Sequence, residues 1–174
     1  GYEKGLGVTQ DFNLACEFYQ KAFEEEEKKD KTLKSLIELK EGGPVFYYQL
    51  GVYYEKKQSL EASDWYYKAI QQGSAHAFNA LTQLAQKGMQ EAQYQLAQYY
   101  ESKQNIPEAI NYYMQSAEKN NNALQALIRL SAHPEAAYSL GCYYELKDLN
   151  QSSHYYRLAA SKKPEALTAL MKFA

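Results

Sequence analysis

The sequence predicts an all-α fold, a solenoid of stacked helical repeats. Three observations predict it: a tyrosine-rich phrase written three times, an aromatic phrase that follows in step, and leucines at helical spacing that close each unit. The first phrase is YYQLGVYYEKK from Tyr47, YQLAQYYESK from Tyr94 and YSLGCYYELK from Tyr138. Its leucines, Leu50, Leu96 and Leu140, stand 46 and 44 residues apart. The second reads ACEFYQKA from Ala15, ASDWYYKA from Ala62, AINYYMQSA from Ala109 and SSHYYRLAA from Ser152, which aligns Phe18, Trp65, Tyr112 and Tyr155. The third runs through LKSLIEL, NALTQLA, QALIRLS and TALMKFA and aligns Leu36, Leu81, Leu127 and Leu170. All three keep a period of 43 to 47 residues, the range of two- and three-helix repeats.

Taken in order, residues 1–43 hold the second and third helices of a partial first repeat. Residues 44–88, 89–133 and 134–174 follow as full repeats of first, second and third helix. In the first helix Tyr47, Leu50 and Tyr54 fall at i, i+3 and i+7, one face of a 3.6-residue turn. In the second, Ala62, Trp65, Tyr66 and Ala69 do the same. All four prolines, Pro44, Pro107, Pro134 and Pro164, mark helix starts, three of them as Pro-Glu-Ala. Proline loses no hydrogen bond there, and a first-turn glutamate complements the helix dipole. GGP from Gly42 and QKG at Gln86 to Gly88 break helices. The run EEEEKKDK from Glu24 mixes both signs and reads as a solvated face where a helix ends. The chain opens at Gly1 inside a repeat, and Phe173 and Ala174 match Leu84 and Ala85, so it reads as a piece of a longer array. Any export signal is expected upstream, which leaves bacterial cytoplasm, periplasm or a host cell open as compartments.

Small residues set the close approaches. Ala15, Ala62, Ala109 and Ser152 share one column, and Gly51, Ala97 and Gly141 another. Where helices cross on a small residue, a ring on the neighbour can seat in the gap.

Composition narrows the function classes. The 174 residues carry 19 basic and 21 acidic side chains, interspersed, for a net charge of -2, which gives no electrostatic case for nucleic acid. Two cysteines over a hundred residues apart argue against a disulfide framework. No run approaches the length of a membrane span. The outlier is 18 tyrosines beside six phenylalanines and one tryptophan. Tyrosine packs as an apolar ring yet keeps a hydroxyl that seeks water or a partner, which suits half-buried surfaces between small units.

The segment YEKGLGVTQDFNLACEFYQKA, from Tyr2 to Ala22, resembles the second half of a Sel-one-like repeat, a relative of the tetratricopeptide repeat. That family's pattern is an LGxxY helix, a GxGV loop, an Asp and an AxxWYxKA helix. Gly5, Gly7, Val8, Asp11, Ala15, Tyr19, Lys21 and Ala22 fall on it. Leu50, Gly51 and Tyr54 with Ala62, Trp65, Tyr66, Lys68 and Ala69 carry it into the next repeat, and Leu140, Gly141 and Tyr144 into the last. The later repeats lack the GxGV loop and insert an LxxL helix between units. The resemblance implies a right-handed α-solenoid used as an adaptor that binds a peptide or partner domain in its concave groove. With a Gln, Asn, Lys and Tyr bias that fits an AT-rich genome, it also suggests a bacterial effector or envelope protein.

The family's consensus tyrosine corresponds to Tyr54, Tyr100 and Tyr144, expected to pack. The tyrosine before each, Tyr53, Tyr99 or Tyr143, is extra. Three stripes run along the first helices: Gln49, Tyr53 and Lys56; Gln95, Tyr99 and Ser102; Ser139, Tyr143 and Leu146. They are candidates either to line a partner-binding groove or to seal neighbouring repeats. Ser116-Ala-Glu-Lys119 has the S-x-x-K spacing of β-lactam-processing enzymes, but Ser116 sits in a small-residue column and neither S-D-N nor K-T-G occurs. His76, His133 and His154 occupy different phases with no i, i+4 partner, so no metal site is expected. No cofactor is implied. The leading expectation is a non-catalytic interaction scaffold with a protein or peptide partner; the alternatives are a structural spacer and a hydrolase.

Overall fold

The computed structural model describes residues 9–26 and 42–173. The GxGV positions Gly5, Gly7 and Val8, the partial repeat's third helix with Leu36, and most of the EEEEKKDK run lie outside the described residues. The chain divides into two compact units, Gly1–Lys87 and Gly88–Ala174.

The first unit contains α1 (Thr9–Glu26), α2 (Pro44–Lys56), α3 (Glu61–Gln71) and α4 (Ala75–Gln86). The second contains α5 (Gln90–Ser102), α6 (Ile106–Ser116), α7 (Asn121–Arg129), α8 (Pro134–Tyr144), α9 (Leu149–Ala160) and α10 (Pro164–Leu170), with a closing 3-10 turn. No strand occurs among the described residues. The chain is therefore an all-helical repeat protein. Pro44, Pro134 and Pro164 open their helices, and Pro107 takes the second position of α6. Polar side chains start most of the others. Ser74, Asn105, Asn120 and Asp148 each accept backbone N–H bonds that the first turn cannot satisfy internally.

Each repeat is held by one recurrent crossing of its first and second helices. Leu50, Leu96 and Leu140 are fully buried, as are the third-helix leucines Leu81 and Leu127. Tyr66, Tyr113 and Tyr156 are the largest fully buried side chains among the described residues. The small columns make room for these rings. A Cβ at Gly51 would run into the ring of Tyr66, and one at Gly141 into that of Tyr156. At the same crossing Ser152 Oγ donates to the Gly141 carbonyl at 2.8 Å, so helix backbone touches side chain with no methyl between.

The aligned aromatic column is uneven in depth: Phe18 is 70% exposed, whereas Tyr155 is buried. The deepest position belongs to the next residue, Tyr66, Tyr113 or Tyr156. Neighbouring helix positions differ by about 100°, so two adjacent aromatics share a stripe and only the packing partner separates them. Trp65, Tyr112 and Tyr155 instead stack face on against Tyr54, Tyr100 and Tyr144, with interplanar angles of 14°, 9° and 10°. The consensus tyrosines thus pack.

Candidate interaction site

The second half of each first helix carries a tyrosine pair followed by a glutamate. These glutamates, Glu55, Glu101 and Glu145, do not point freely into water. Each accepts the hydroxyl hydrogen of the buried second-helix tyrosine: Tyr66 to Glu55 at 2.5 Å, Tyr113 to Glu101 at 2.6 Å and Tyr156 to Glu145 at 2.5 Å. In the second unit a cation from the third helix or the 3-10 turn after it joins. Arg129 grips Glu101 with two bonds of 2.6 and 2.9 Å, and Lys172 Nζ stands 3.9 Å from Glu145. Burial, then the carboxylate, pushes Tyr66 and Tyr113 well above the usual tyrosine range, and burial, then the Cys142 thiol and Glu145, does the same for Tyr156. The contact ties the last turn of the first helix to the second, two residues beyond the first tyrosine of the pair.

That tyrosine is half-buried in every copy. Tyr53, Tyr99 and Tyr143 meet the next ring edge to face at 5.3, 5.6 and 5.0 Å. Over each ring lies the ammonium of a lysine one turn on: Lys57 at 5.1 Å, Lys103 at 5.7 Å and Lys147 at 4.6 Å. Edge contact holds the ring in one orientation, and the cation covers its face. The result is a tyrosine ring with a lysine ammonium over its face, repeated in three first helices; Lys147 also pairs with Glu118.

The remaining stripe residues fall in different settings. Gln49 and Gln95 are 2% and 4% exposed, Ser139 is half-buried, and Lys56 and Ser102 are exposed. Ser102 Oγ donates to the carbonyl of Tyr99 at 2.6 Å. Leu146 is 99% exposed, because α8 ends at Tyr144 and carries it off the helical phase. Gln49, Tyr53 and Lys56 are brought together. They line a cavity of about 250 Å³ between α1 and α2, opposite Gln20, Phe23 and Glu24. Phe23 is buried and its ring lies 5.9 Å from that of Tyr53. Gln49 also hydrogen-bonds the Cys16 thiol, whose pKa burial raises and that bond partly lowers. Sequence reasoning missed both the lysine and the glutamate columns. The signal was present, since YYEKK, YYESK and YYELK keep Glu and the final Lys at fixed distances from the tyrosines.

The other candidate chemistries have definite surroundings. Ser116 is fully buried, and its hydroxyl lies 3.3 and 3.2 Å from the carbonyls of Tyr112 and Tyr113 in its own helix. A nucleophile needs access to substrate, and this hydroxyl is buried and turned to its own helix backbone. His76 stacks on Phe12 at 4.0 Å, and His154 meets Tyr155 edge on. Among the described residues no cluster of three His, Cys, Asp or Glu could hold a metal ion, and no helix is long and apolar enough to cross a membrane.

A family model described as Sel1 repeat matches residues 1–26, 43–74, 90–121 and 134–164, together more than half of the chain. Each match from the second onward begins at a first helix and ends just beyond the second, so it spans the Tyr–Glu crossing. No curated protein and no solved structure matches.

Proposed function

The chain belongs to the Sel1 repeat family, whose repeats are protein–protein interaction modules, and from that membership we propose that it is a scaffold without catalysis of its own. A peptide or partner domain is held against the tyrosine faces of the first helices. One observation carries the reading: Tyr53 with Lys57, Tyr99 with Lys103 and Tyr143 with Lys147 present the same half-exposed, orientation-locked ring beside a cation in successive repeats. Rigid amphipathic rings lose little entropy on binding and act as anchors at interfaces. The composition and repeat type favour a bacterial effector or envelope protein as its setting.

The test is an affinity capture with mass spectrometry that compares the protein with its Tyr53, Tyr99, Tyr143→Ala variant, both shown folded by circular dichroism. A partner retained by the first and lost by the folded variant supports the scaffold reading. Equal retention by both, or none by either, makes these rings packing residues and the array a spacer.

A further inference from the structure

We draw no further inference here: the strongest candidate, the exposed apolar face that Leu167, Met171 and Phe173 form on α10 and the closing 3-10 turn, carries nothing because nothing in the structure shows what covers it.

Discussion

Tyr113 reaches from the second helix of its repeat to Glu101 at the end of the first, with its hydroxyl 2.6 Å from the carboxylate that Arg129 grips from the third. One phenol therefore ties together all three helices. Tyr113→Phe keeps the ring in its buried seat and removes only the hydroxyl. Because Glu101 retains Arg129 and partial access to water, the expected loss is about 1 kcal/mol, the usual net worth of such a bond. Urea unfolding followed by far-ultraviolet circular dichroism measures it. An unchanged midpoint would mean that the hydroxyl is a bystander.

The seat of the ring gives a second prediction. Gly141 lies against Tyr156 so closely that a Cβ would overlap the ring. Gly141→Leu is expected to destabilise by about 1–3 kcal/mol through overpacking. Gly141→Ala sets two effects against each other, since alanine favours a helix over glycine by about 0.8–1.0 kcal/mol while its methyl must displace the ring. Ala97 fills the same column in the preceding repeat and shares a core cluster with Tyr113, so the ring can give way. The alanine variant should fall well short of the leucine variant in cost. Equal losses by thermal melts would show that the crossing tolerates no Cβ in this repeat.

The leucine and small-residue columns were legible in the sequence because each has one physical reading: a large apolar side chain at helical spacing needs burial, and a small one opposite it needs a ring. Pro44, Pro134 and Pro164 were legible because their missing N–H suits a helix start. What the sequence left open was rotation about the helix axis. Phe18 and Tyr19, or Trp65 and Tyr66, are adjacent, and local pattern cannot say which of the two turns inward. Glu101 was read over for a similar reason. A charge after two tyrosines at a helix end looks solvated until the second helix brings Tyr113 beside it. The cavity was half legible: Gln49, Tyr53 and Lys56 fell on one stripe, but Phe23 enters from a helix whose approach depends on tertiary packing.

The serine of the S-x-x-K spacing supplies a third prediction. Ser116 is fully buried with its hydroxyl turned to backbone carbonyls. Incubation with a fluorescent penicillin should leave the protein unlabelled, and a chromogenic β-lactam should not be turned over. Ser116→Ala should change stability by no more than about 1 kcal/mol, since alanine already holds the equivalent positions Ala69 and Ala159. Covalent label on Ser116, found by peptide mapping, would revive the hydrolase reading.

Acid and alkali should destabilise the fold through opposite members of the same contact. The Arg129 guanidinium, with help from Tyr113, holds the Glu101 carboxyl below its ordinary value of 4.5. The folded form therefore favours the carboxylate. Its contribution is complete above pH 4.5 and is lost as pH falls through the lower folded value. For Tyr66, Tyr113 and Tyr156 the shift runs the other way, because burial and a neighbouring carboxylate favour the neutral phenol and raise the pKa above 10.0. Their contribution is complete below pH 10 and drains away as pH rises, at up to about 1.4 kcal/mol per pH unit for each phenol that ionises only on unfolding. Urea midpoints at a series of pH values should therefore form a plateau bounded on both sides. Arg129→Ala is expected to flatten the acid limb and leave the alkaline one, whereas Tyr113→Phe makes the alkaline limb shallower by one proton's share. A wild-type midpoint that stays level beyond pH 11 would sink the assignment of these tyrosines as buried, carboxylate-bonded phenols.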